Sequence, residues 1–145
     1  MKKNIALLAV FLALAGASPA ISAPPYEATV YKDPTCGCCA EYVKYLEDNG
    51  FAVTVVDTGD LAVVKMINGV PDALASCHTA LVDGYVVEGH VPVSVLNKLL
   101  SERPKITGVS LPGMPPGSPG MGGPKSAPFT IYEISEGPPK VFSTE

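Results

Sequence analysis

Tryptophan is absent, and aromatic residues make up only 7% of the 145-residue chain. Too few flat rings remain for a base-stacking platform. Basic residues are also scarce: ten Lys and Arg stand against 14 Asp and Glu. Without Lys2 and Lys3, which lie in an export segment, the count is 8 against 14, a balance of −6. Phosphate binding needs a basic face, so nucleic acid is a poor candidate for the main partner. Repeats and charge runs are missing. There is one long apolar run, Ile5 to Ala15, and it is short for a bilayer span.

That run follows Met1-Lys2-Lys3 and precedes the small residues of Ala17-Ser18-Pro19-Ala20-Ile21-Ser22-Ala23. A basic start, an apolar stretch and a small-residue site form a secretory signal. Cleavage is expected after Ala20 or Ser22, because Pro24 disfavours a cut after Ala23. The expected organisation is a signal peptide over 1–22, one folded domain over 23–103 and an extension over 104–145. Once cleaved, the chain is expected in a bacterial periplasm, without a membrane anchor and as a monomer. About 80–100 residues are left to fold, enough for one small domain.

The region Tyr26 to Tyr31 reads as a strand. Cys39, Tyr42, Val43 and Leu46 then repeat at helical spacing, and Asn49-Gly50 ends that helix. Phe51 to Val56 reads as a second strand. Leu61, Val64 and Ile67 mark a second helix, with Met66 expected in the core. Ser76 to Val82 and Tyr85 to Glu88 flank Asp83-Gly84, a strong hairpin signal. Pro92 opens a third helix with an apolar stripe of Val95, Leu96, Leu99 and Leu100. The order β-α-β-α-β-β-α predicts an α/β protein, a thioredoxin-like mixed sheet flanked by helices. The run Gly108 to Pro128 is rich in Pro and Gly and shows no core face, so it is expected to form an extension. Phe129 to Ile134 is strand-like and is expected to return to the body.

Cys36-Gly37-Cys38-Cys39 falls between the first strand and the first helix, and the fourth cysteine is Cys77. Cys36 and Cys39 keep C-x-x-C spacing, a redox signature at that place. A helix N-terminus stabilises a thiolate and lowers its pKa. Two sulfurs one turn apart are also close enough to bond. Cys38 complicates this reading, because a third thiol beside a reactive pair invites scrambling. A fourth thiol at the start of the hairpin would face the same helix end. Four converging sulfurs make a soft-metal site, and thiolates and thioethers select Cu(I), although zinc also accepts thiolates. Structural disulfides and a thiol–disulfide active site remain open as alternatives.

His78 follows Cys77, and neighbours on a strand point to opposite faces. Both can face one metal only if the strand is irregular there. His90 is either a helix-entry residue or a ligand. Met114 and Met121 lie in the flexible Pro/Gly run, where two thioethers have little reason to be unless they pack on the domain or bind Cu(I).

Cys36-Gly-Cys-Cys39, Ser76-Cys77-His78-Thr79, Glu88-Gly-His90-Val-Pro92 and Gly108-Val-Ser-Leu-Pro-Gly-Met114-Pro-Pro-Gly-Ser-Pro-Gly-Met121 together resemble the DUF411 family. The resemblance runs from about Tyr26 to Ile134. It implies a thioredoxin domain whose C-terminal extension helps to bind metal, and several copper ions bridged by Cys36, Cys38, Cys39 and Cys77. Met114, Met121, His78 and His90 would complete the shell. The implied role is interconversion of Cu(I) and Cu(II) in copper resistance, supporting export by an efflux system. A passive Cu(I) chaperone is the other copper-based reading. Bridging makes chemical sense. Four thiolates on one Cu(I) would leave a charge of about −3 in a partly buried place, and sharing them among several ions neutralises it.

Overall fold

The computed structural model describes residues 26–145. The segment expected to be a signal peptide, 1–22, lies outside the described residues. Among the described residues the strands are β1 (Glu27–Lys32), β2 (Ala52–Asp57), β3 (Thr79–Val82), β4 (Tyr85–Glu88), β5 (Gly108–Ser110), β6 (Thr130–Ile134) and β7 (Val141–Thr144). These seven form one mixed sheet in the order β2-β1-β3-β4-β5-β6-β7. The helices are α1 (Gly37–Asp48), α2 (Leu61–Ile67) and α3 (Val93–Glu102). The β-α-β-α-β-β-α order expected from the sequence is present.

β1 and β2 run parallel through the α1 crossover, with Val30 opposite Val55. β3 lies antiparallel to β1 on its other side, with Val30 opposite Ala80. The Asp83-Gly84 turn joins β3 to β4 with Val82 opposite Tyr85. α3 carries the chain across to β5, which runs parallel to β4. β6 and β7 then extend the sheet by antiparallel pairing.

Packing follows the apolar stripes. Tyr42, Val43 and Leu46 of α1 meet Val95, Leu96, Leu99 and Leu100 of α3 over Ala28, Val30, Ala80, Val87 and Val109 of the sheet. Full burial of one such aliphatic side chain contributes about 1.5–3 kcal/mol relative to exposure. A smaller cluster of Val70, Leu74, Val86 and Ile134 sits apart from it, beside a single 3-10 turn at Asp72–Leu74.

Three expectations need correction. Met66 is not core: it is 70% exposed, and α2 has no buried residue. The helix forms as its periodicity predicts, but nothing among the described residues fully covers its apolar face: Leu61 and Val64 are only half-buried and Ile67 is exposed. The Pro/Gly run does have a core face, because Val109 and Leu111 are buried and Gly108–Ser110 is a strand. A three-residue strand is too short to show against that composition. The hairpin's first strand starts at Thr79 rather than Ser76, so Cys77 and His78 precede it. β7 was not anticipated.

Candidate metal centre

The turn before α1 delivers the first cysteine. The Asp33 carboxylate accepts hydrogen bonds from the Thr35 hydroxyl at 2.5 Å and the Thr35 N–H at 2.7 Å. These bonds hold the exposed Asp33 carboxyl below the usual carboxylate range. The Cys36 N–H donates to the Asp33 carbonyl at 3.0 Å and closes the turn. Cys36 becomes the N-cap in extended conformation, and no side chain caps the first turn. The open N–H groups of that turn therefore face the cysteine cluster, where they favour negative charge on sulfur.

Cys36 and Cys39 are joined by a disulfide, while Cys38 and Cys77 are free. The Cys36 and Cys38 sulfurs lie 3.6 Å apart. The sulfurs of Cys36, Cys38, Cys39 and Cys77 all lie within 4.8 Å of one another. Cys39 is fully buried; the other three are half-buried. Two stretches of chain some forty residues apart therefore meet at one point, as expected from a hairpin start that faces the first helix's N-terminus.

Cys77 belongs to a second group with His78 and His90, whose ligand atoms also lie within 4.8 Å of one another. Its sulfur is 3.3 Å from His78 Nδ1 and 3.0 Å from His90 Nε2. Because residues 76–78 are outside the strand, the alternation that would separate Cys77 from His78 does not operate. His90 Nδ1 lies 2.6 Å from the Pro119 carbonyl. A carbonyl only accepts, so Nδ1 carries the proton and Nε2 presents its lone pair toward Cys77. A histidine anchored in this way through its other nitrogen is the usual arrangement for a metal ligand.

Electrostatics complete the donor set. Burial, chiefly, and then the neighbouring His90 and Lys65 push the His78 imidazole down to about 3. Burial also lowers His90, partly offset by the Pro119 carbonyl. Both rings are therefore neutral near pH 7 and available as ligands. Burial and the adjacent Cys38 push the Cys77 thiol up to about 11. A cation taking that sulfur must displace its proton. His78 Nε2 is buried and has no hydrogen-bond partner among the described residues. Cysteine sulfurs grouped with imidazole nitrogens fit a soft cation better than a hard one.

The methionines are placed differently. Met114 is 52% exposed. Its segment is tied to the loop before Cys77 by Gly113 N–H donating to the Ala75 carbonyl at 3.2 Å and by Ser76 Oγ donating to the Gly113 carbonyl. Met121 is half-buried and follows Gly120, which is wedged against α1. At Gly120, φ is +78°, and an added Cβ would lie 2.7 Å from the Tyr42 nitrogen and 2.9 Å from the Cys38 carbonyl oxygen. Gly120→Ala is expected to lift the extension off α1 and to destabilise the fold by about 1–3 kcal/mol. Denaturant unfolding checks this; an unchanged midpoint would contradict the docking.

Two contributors escaped the sequence reading. Tyr42, seen there only as part of an apolar stripe, places its ring 4.7 Å from His78 and 5.3 Å from His90 and donates to the Val91 carbonyl at 2.8 Å. Pro119 was read as loop composition, yet its carbonyl orients His90. Only contacts between residues 29 to 49 positions apart could have shown either.

A mixed α/β sheet with clustered cysteine and histidine donors at the head of its first helix defines a protein with a candidate soft-metal centre. The chain belongs to the DUF411 family. The profile for that family, described as a protein of unknown function, matches residues 74–121. Two solved structures described as copper resistance protein CopG, forms 2 and 1, are 41% and 40% identical to it, with TM-scores of 0.77 and 0.76. Each match covers 83% of this chain and 98% of the other. No curated protein matches the chain. No helix among the described residues is long and apolar enough to cross a membrane.

Proposed function

We propose that this chain binds copper in copper resistance, holding several ions bridged by Cys36, Cys38, Cys39 and Cys77 and interconverting Cu(I) and Cu(II). The observation that carries the reading is the convergence of four cysteine sulfurs from two distant segments within 4.8 Å of one another. Thiolates are the ligands that select Cu(I), and bridging spreads their charge over several cations. His78 and His90 complete the coordination around Cys77, and Met114 and Met121 supply neutral sulfurs from the extension. The solved relatives, described as copper resistance proteins, support copper as the metal.

In this reading residues 1–22 direct export and are removed, and 23–103 form a thioredoxin-like metal-binding domain. Residues 104–145 form the extension that closes over the site. The mature protein works in the periplasm as a monomer, and its copper passes to a component of an efflux system. A second reading, a thiol–disulfide oxidoreductase, is favoured by the Cys36–Cys39 bond. It predicts disulfide exchange without metal that requires Cys36 and Cys39 and tolerates loss of Met114 and Met121. A passive Cu(I) chaperone would carry copper that never changes oxidation state.

Copper content and absorption spectra of the mature reduced protein separate these readings. More than one copper per chain is expected, with most of it lost in Cys36→Ser or Cys39→Ser. A protein that takes up none under reducing conditions would overturn the copper reading.

A further inference from the structure

Glu88 ends β4 and is completely buried. Both of its oxygens are engaged. Oε1 accepts from Lys65 Nζ at 2.5 Å and from the Ser76 N–H at 2.6 Å. Oε2 accepts from the Thr79 hydroxyl at 2.7 Å, and Lys65 Nζ also reaches Thr79 Oγ1 at 3.1 Å. A carboxylate and its counterion from α2 therefore sit directly beneath the loop that carries Cys77. The next residue, Gly89, has φ +76°, and an added Cβ would lie 2.5 Å from Ser76 Oγ and 2.6 Å from the Leu111 carbonyl oxygen. The Ser76 loop is thus pressed onto the Glu88-Gly89-His90 segment.

We propose that Glu88 is the positioning residue of the sulfur site: by taking the Ser76 N–H it holds residues 76–78 off the strand, so that Cys77 and His78 present their donors together. The proposal rests on the copper reading above and adds the group that shapes the site. Without it, Ser76-Cys77-His78 would continue the alternation of β3, and the two side chains would part to opposite faces. A hydrogen bond to a charged acceptor is roughly twice as strong as a neutral one, which suits a backbone held against strand geometry. Lys65 keeps the buried charge balanced, since an uncompensated one is costly.

A purely structural ion pair makes a different prediction, and the double variant Lys65→Met/Glu88→Met separates the two. Replacing a buried pair by apolar residues of similar volume is often neutral or stabilising, so this variant is expected to fold. Metal-free reduced protein is alkylated, and each cysteine is followed by mass spectrometry. Cys77 is expected to react at least about tenfold faster than in the parent, with Cys38 unchanged, and Cu(I) affinity to fall about 10–100-fold, the range for partners that orient a ligand. Glu88→Gln keeps a weaker acceptor and is expected to fall between parent and double variant. Equal Cys77 rates in the parent and either folded variant would overturn the proposal. So would fast hydrogen exchange at the Ser76 amide in the unaltered protein, a measurement that needs no variant to fold. If the parent binds no Cu(I) while the alkylation order holds, the copper reading falls and the positioning role stands.

Discussion

Cys77→Ser is expected to weaken Cu(I) binding by more than about 100-fold, because loss of partners that only orient a ligand already costs 10–100-fold. Cys77 is the one cysteine shared by both donor groups, the four sulfurs and the Cys77–His78–His90 set. Its removal leaves three sulfurs crowded on one turn and two imidazoles with no sulfur between them. Serine is nearly isosteric, and the position is half-buried, so the fold should survive. The hydroxyl that replaces the sulfur is a hard donor with little affinity for Cu(I). Competition against a Cu(I) chelator, with the protein fully reduced, measures the change. Affinity within threefold of the parent would show that the metal is held elsewhere.

The second large effect concerns oxidation. With Cys36 and Cys39 bonded to each other, as they are here, two of the four thiolates are withdrawn. Cys38, Cys77, His78 and His90 remain as donors. A disulfide sulfur carries no charge and cannot bridge cations as a thiolate does. Copper capacity of the oxidised protein is therefore expected to be at most about half that of the reduced protein, and to return when the bond is reduced, because metal binding requires the deprotonated ligand. Metal analysis on the two forms, with free thiols counted in parallel, gives the comparison. Equal capacity would mean that Cys36 and Cys39 are not bridging ligands.

Much of this protein was legible in its residues, and the gaps have physical causes. The α1 stripe of Cys39, Tyr42, Val43 and Leu46 is buried as its spacing required. The Asp83-Gly84 turn pairs β3 with β4. These are local signals, each contained in a few consecutive residues. Met66 failed because periodicity reports that a helix has a face, not that anything covers it. β5 was hidden because its three residues sit among glycines and prolines, and their burial comes from β4 and β6 on either side. At the site, the CxCC cluster was visible in its spacing, and Cys77 and both histidines as candidates from their places in the expected fold and from the family resemblance. What brings Cys77 and His78 to the same side was not visible. In the proposal above that depends on Glu88 and Lys65, 12 and 11 positions from Ser76 on opposite sides, while the orientation of His90 depends on a carbonyl of the extension, equally invisible in the sequence.

X-ray absorption on the reduced, copper-loaded protein tests the central claim most directly, since it reads the atoms bound to the metal. The account predicts Cu(I) with a first shell dominated by sulfur and a second copper close by. A shell of nitrogen and oxygen alone, with isolated ions, would contradict it.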